Sequence, residues 1–265
     1  MKKIYALLFA ALTLFAISCS NDDNDTQNGP LTLHFQNIVG TAALQMNTSI
    51  TPYTNSKGEA YKVTWLTYYI SNIKLKKSDG TIFTDPVKSD GSAGYYLVDG
   101  TDASTQDITI ENIPAGDYTE VTFNVGVDAN QVSQGAHTGA LDPAKGLFWS
   151  WNSGYIGLAV EGVSPASTES GNVFQFHVGG YKDDAASNQV NNVKTITLSF
   201  TGDAAPVRAQ HEPEVHLLFD VNKFLNGTGE QVTFTGNASR HSPKPCQELA
   251  KNIPGAFVVD HIHAN

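Results

Sequence analysis

The chain has 265 residues, with 26 acidic against 16 basic side chains and a formal net charge of −10. Such a balance excludes a basic nucleic-acid footprint and gives no attraction to anionic lipid head groups. The only cysteines are Cys19 and Cys246, too few for a disulfide framework, so packing has to stabilise the chain.

The N-terminus reads as an address. Lys2 and Lys3 precede an apolar run over residues 4–17 that is too short for a stable membrane span. Small residues lead into Cys19, in the manner of a bacterial lipobox. That pattern implies cleavage of residues 1–18 and lipid attachment at Cys19, giving an anchored rather than a spanning protein. The alternative is an ordinary signal peptide with an incidental cysteine. Loss of the leader removes Lys2 and Lys3 and no acid, leaving −12. Residues 19–30 are polar and acidic and should form a flexible tether. Acidic residues behind a lipidated cysteine resemble the surface-export signal of Bacteroidetes lipoproteins. The expected location is the outer membrane, surface-exposed or else facing the periplasm.

Residues 31–265 then form one domain, about 235 residues long, ordinary for an all-β fold. Short runs of β-branched and aromatic residues are separated by Gly, Asn, Asp and Pro. The predicted strands cover 31–36, 61–76, 95–98, 107–110, 118–127, 147–151, 155–161, 173–178, 193–200, 215–220, 231–234 and 257–263. Leu31, Leu33 and Phe35 share one strand face, with Thr32, His34 and Gln36 opposite, so one face is buried and one wet. Single helical turns are expected at 142–146 and 221–226. A helix of about two turns is expected over 246–252, stopped by Pro254 and Gly255. The loop over 128–145 is the least constrained part. The fold class predicted is all-β: a single antiparallel β-sandwich with a short helix near the C-terminus.

Chemistry concentrates in Trp and His. Trp149 and Trp151 sit two residues apart; on a strand, both indoles would project from one face and could fill a core, stack on a ligand or stand beside a metal. His177 faces away from Phe174, Phe176 and Val178, and His216 away from Val215, Leu217 and Phe219. His261 and His263 share a face about 7 Å apart along a strand, close enough to reach one ion. Imidazole suits Cu, Zn, Fe and Ni alike. A lone strand histidine is more often a surface or core residue than a ligand, and paired Trp is more often core. His34, His137, His211 and His241 read as solvated, and Cys246 as a buried structural thiol. No Gly-x-Ser-x-Gly elbow or His-Glu-x-x-His motif is present, which argues against a hydrolase.

An ordered set of segments carries a family resemblance. They are residues 35–40, 68–75, 96–99, 113–118, 123–128, 140–155 with Trp149 and Trp151, Glu161 with Gly162, 176–180 with His177, 216–220 with His216, and 257–263 with His261 and His263. Together they resemble the MbnP family of bacterial copper-binding proteins, in its Bacteroidetes lipoprotein branch. The resemblance implies a non-enzymatic β-sandwich binding one copper ion, as Cu(I), for copper acquisition, storage or delivery. It also implies a MauG-like dihaem oxidase partner that converts Trp149 to kynurenine, with Trp151 as the packing partner. Metal ligation is carried over to Trp149, His177, His216, His261 and His263. The family pattern has His where this chain has Asn37, so the copper site here is altered or lost if that position is a ligand. The alternative function is a surface module for glycans or another protein that kept the sandwich and lost the metal; ten Tyr residues able to stack on sugars favour it.

Overall fold

The computed structural model describes residues 27–133, 137–200 and 202–264; the leader, Cys19 and the tether up to Thr26 lie outside the described residues. Eleven strands frame the fold: β1 (Gly29–Val39), β2 (Ala60–Lys77), β3 (Tyr95–Asp99), β4 (Asp107–Ile113), β5 (Gly116–Val125), β6 (Phe148–Ser150), β7 (Gly154–Val163), β8 (Val173–Gly179), β9 (Lys194–Ser199), β10 (Glu214–Asp220) and β11 (Phe257–His263). The first strand begins at Gly29, inside the expected tether. A Cβ there would lie 2.1 Å from the Arg208 carbonyl oxygen, so only glycine lets the chain enter the fold at that point.

Two mixed sheets face each other. The smaller runs β11–β10–β1, with β4 also on β1. The larger runs β9–β5–β2–β7–β8, extended by Ser239–Arg240, with β3 on β2 and β6 on β7. The sandwich is not purely antiparallel, because β1 and β10 pair in parallel from Thr32↔Glu214 to Ile38↔Asp220. Parallel pairing requires a crossover, and nearly the whole larger sheet is inserted between these two strands. The long β2 has five partner strands. It changes partners at a register shift between Ser71 and Lys74, where Asn72 takes φ +53°.

Period-2 patterning builds the core. Leu31, Leu33 and Phe35 of β1 are fully buried with Val215, Leu217 and Phe219 of β10, against Leu66, Tyr68, Phe123, Phe174 and Phe176 of the larger sheet. Phe35, Phe123 and Phe257 meet edge to face at centroid separations of 5.5–6.3 Å. A second cluster lies on the other face of the larger sheet: Tyr69, Tyr95, Val127, Val132, Leu141, Leu147, Tyr155, Ile156 and Ala159. It pins Val132, Ala140 and Leu141, so the described residues of the 128–145 segment are more constrained than expected. Asp128 caps a short helix, α1 (Ala129–Val132), and also accepts from Asn72 and Tyr95. The hydroxyls of Tyr69 and Tyr155 donate to the Ala140 and Leu141 carbonyls at 3.0 and 2.7 Å.

The expected strand at 231–234 does not form. Val232 and Phe234 are buried, but the segment is tied by a side chain rather than a ladder. Glu59 accepts from the Phe234 amide, the Thr235 amide and hydroxyl, the Thr233 hydroxyl and Asn55, at 2.7–3.2 Å. Burial would raise its pKa, but these donors win and hold the carboxyl down at about 2. The turn at 221–226 is α2 (Val221–Leu225), capped by Asp220. The C-terminal helical region is two pieces, α3 (Gln247–Ala250) and α4 (Ile253–Ala256). Pro254 does not stop it, because in the first turn of α4 its missing N–H is not needed. No helix among the described residues is long and apolar enough to cross a membrane.

Candidate metal centre

The clearest site lies on the outer face of the smaller sheet. His34, His216 and His261 occupy the adjacent strands β1, β10 and β11, in register as His34↔His216 and His216↔His261. Neighbouring strands stand about 4.8 Å apart. The ring centroids follow that spacing, at 4.7 Å for His34–His216 and 4.1 Å for His216–His261. His263 closes the group, 4.9 Å from His216 and 4.7 Å from His261.

A β-bulge produces this arrangement. Phe257 and Val259 point toward the core, so strict alternation would send His261 and His263 inward too. The register shifts between the pairs Leu217↔Val259 and His216↔His261, leaving Asp260 as the extra residue. Parity flips there: Ile262 packs on the core, and His261 and His263 emerge beside His216.

One ligand nitrogen from each of His216, His261 and His263 lies within 4.8 Å of the others. The Nε2 atoms of His261 and His263 are 3.1 Å apart. Carboxylates attend three of the four histidines: Asp107 lies 2.5 Å from His34 Nδ1, Asp260 lies 2.8 Å from His261 Nδ1, and Glu214 closely approaches His216. Such carboxylates fix ring orientation and raise ligand basicity. His216 Nε2 is buried in close contact with the Glu214 carboxylate and makes no aligned hydrogen bond among the described residues. A buried nitrogen set against a carboxylate and beside two other imidazoles fits a cation. Burial pushes the His216 pKa down, and His261, His34 and His263 add to this against the opposing pull of Glu214. The ring is thus kept neutral, as a metal ligand must be.

His177 and Trp149 lie elsewhere. His177 shares β8 with the inward-facing Phe174, Phe176 and Val178, and projects from the outer face of the larger sheet. Packed sheets stand about 10 Å apart, and side chains on their outer faces diverge further. His177 therefore cannot share an ion with His216, and the single site expected of all five residues divides in two. Trp149 stays with His177: its ring lies over Gly179, two residues along the same face, where a Cβ would meet the indole at 2.6 Å. Trp151 does not share that face. β6 ends at Ser150, and Trp151, 55 % exposed, packs on Phe148 at 5.1 Å. It is not placed to support Trp149.

Three residues read as solvated or structural have partners of note. His137 is buried and lies 2.9 Å from Gln131 Nε2. His241 meets His177, with the Nδ1 atoms 3.0 Å apart. Cys246 is buried and donates to the His177 carbonyl at 3.3 Å; burial pushes its thiol up to about 12. Asn37, the position at which the resemblance leads us to expect His, faces the core. Its Oδ1 accepts from the buried Tyr68 hydroxyl at 3.0 Å, and its Nδ2 has no hydrogen-bond partner among the described residues. It lies on the opposite side of β1 from the histidine group.

The comparisons agree with this architecture. A family model described as MbnP matches residues 28–245. A solved structure, MbnP from Methylosinus trichosporium, superposes with a TM-score of 0.52 at 15 % identity, covering 90 % of this chain and 99 % of that one. No curated protein sequence matches. The fold is thus that of an MbnP-like β-sandwich, a class linked with copper. The chain belongs to the MbnP family.

Proposed function

We propose that this protein is a lipid-anchored, non-enzymatic copper-binding protein of the cell envelope, holding Cu(I) for acquisition, storage or delivery. The observation that carries the reading is the His216, His261 and His263 group, with its nitrogens within 4.8 Å and the His216 Nε2 buried against the Glu214 carboxylate. Imidazole donors suit copper, and family membership selects it from the other metals they suit. The anchor would be Cys19, in the outer membrane and surface-exposed, otherwise facing the periplasm. The Asp107, Glu214 and Asp260 carboxylates give the face a negative field that favours a cation.

A dihaem oxidase of the MauG type is the proposed partner for converting Trp149 to kynurenine. The indole is half-buried, packed against the second cluster on the outer face of the larger sheet. A kynurenine there would lie beside Gly179 on the outer face of the larger sheet, away from the three-histidine group. The test is Cu(I) titration of the mature protein against a competing chelator, with intact-mass analysis. The reading expects tight copper binding that His261→Ala/His263→Ala weakens at least 100-fold. Equal affinity in that variant would remove the group from the site.

The alternative, a glycan-binding module, is favoured by one feature. Trp151 and Tyr181 line an open apolar groove with Val132 and Ser133. A saturable glycan ligand that Trp151→Ala abolishes in copper-free protein would support it.

A further inference from the structure

We propose that Glu214 is the fourth ligand of the three-histidine group, and that the completed centre holds Cu(II) as well as Cu(I). The inference rests on copper binding at His216, His261 and His263. Strand β10 reads Glu214-Val215-His216 and β11 reads His261-Ile262-His263. The two strands run antiparallel, with Glu214 opposite His263 and His216 opposite His261. Val215 and Ile262 pack on the core, so the other four residues share the outer face. Directly opposed residues have Cβ atoms about 5 Å apart, and residues two along one strand about 7 Å. The four side chains therefore stand at the corners of one small rectangle, from which each can reach an ion above its middle.

Glu214 fits the missing corner better than His34 does. His34 lies across His216 from His261, on the next strand over. Two strand spacings separate it from His261, about 10 Å, so the two rings cannot share an ion. Its Nδ1 is also held by Asp107. Glu214 already leans on the group, in close contact with His216 Nε2 but without an aligned hydrogen bond. Its side chain is 32 % exposed, so rotation toward the facing His263 is open to it. Asp260 has a different part. It lies 2.8 Å from His261 Nδ1 and can only accept, which puts the ring proton there and leaves the Nε2 lone pair for a metal.

The added donor changes which copper ion is preferred. Three imidazoles suit several metals. A carboxylate is a hard, charged oxygen, and a nitrogen and oxygen set laid out on a flat sheet face suits the tetragonal ligation of Cu(II). Cu(I) needs no fourth donor. The carboxylate charge also attracts a dication twice as strongly as a monocation at the same distance. Loss of Glu214 should thus weaken Cu(II) binding more than Cu(I) binding.

The test titrates full-length mature protein with Cu(I) and, separately, with Cu(II), each against a competing chelator, and records the electron paramagnetic resonance spectrum of the Cu(II) form. Glu214→Gln should weaken Cu(II) about ten-fold or more, change Cu(I) affinity by less than about three-fold, and shift the copper hyperfine splitting. Gln has nearly the shape of Glu and the site is partly exposed, so the melting temperature of the metal-free variant should match wild type. Glu212, an exposed acid bonded to Thr32 on the same sheet, serves as the control for lost negative charge. Glu212→Gln should keep both affinities. A Glu214→Gln protein with wild-type Cu(II) affinity and spectrum overturns the fourth ligand. So does an equal loss for both ions with an unchanged spectrum, which would make Glu214 only an orienting partner of His216. An equal Cu(II) loss in Glu212→Gln overturns it too, by leaving only a general field. Wild type that binds Cu(I) but not Cu(II) sinks this inference alone. Wild type that binds neither also removes the three-histidine centre.

Discussion

Replacing Glu59 by Gln tests how the 231–235 segment is held. The carboxylate takes five donors through two oxygens: Oε2 serves Asn55 and the Phe234 amide, and Oε1 serves Thr233 and both Thr235 donors. Gln must place an NH2 group against one of these sets. The threonine hydroxyls can rotate to accept, but the backbone amides cannot, so one N–H is orphaned either way. A carboxyl drawn down from 4.5 to about 2 corresponds to roughly 3 kcal/mol if undamped. The group is partly open to water, which screens it, so about 2 kcal/mol is expected. Phe234 stacks on Phe174 at 4.6 Å, so loosening this anchor also loosens one end of the core. The assay is urea unfolding of wild type and Glu59→Gln across pH. The unfolded carboxyl binds protons below about 4.5, before the folded one does, so wild type loses its advantage as the pH falls from there toward 2. A gap below 0.5 kcal/mol at pH 7, on the order of an ordinary surface change, would refute the anchoring role. A gap unchanged between pH 7 and pH 3 would refute its electrostatic origin.

Further expectations concern packing, thiol access and protons. A Cβ at Gly162 would lie 2.0 Å from the Lys62 carbonyl oxygen and 2.5 Å from the Phe174 ring, so Gly162→Ala should cost about 3 kcal/mol in chemical denaturation. Cys246 is buried, with its pKa raised to about 12, so a thiol reagent at pH 8 should label it only as fast as the chain unfolds. The pKa values of His177 and His216 are lowered from 6.5, so below that pH the unfolded chain takes up protons first. Thermal stability of the metal-free protein should therefore fall between pH 7.5 and 5.5; a rise would contradict these environments.

Much of the sandwich was legible because its strands alternate. Leu31, Leu33 and Phe35, or Phe174, Phe176 and Val178, announce a buried face directly, and each lies where that pattern put it. His216 was placed outward by the same rule. The failures came where periodicity stops. In β11, His261 and His263 do share a face, but which face depends on the Asp260 bulge; the clue was Ile262, which breaks step with Phe257 and Val259. The parallel β1–β10 pairing, and with it the His34–His216 contact, joins residues 182 positions apart, and no local pattern encodes that. His241 was overlooked for a similar reason: a two-residue strand in a polar stretch carries it to His177. Residues 231–234 have strand composition, yet Glu59 claims their donors. Trp149 and Trp151 part company because β6 ends between them.

The most direct measurement is an anomalous-difference map at the copper edge from crystals of the copper-loaded mature protein. A peak bonded to His216, His261 and His263 on the outer face of the smaller sheet is the predicted result. Copper bound inside the sandwich near Asn37 and Tyr68, with those three rings free, would contradict it.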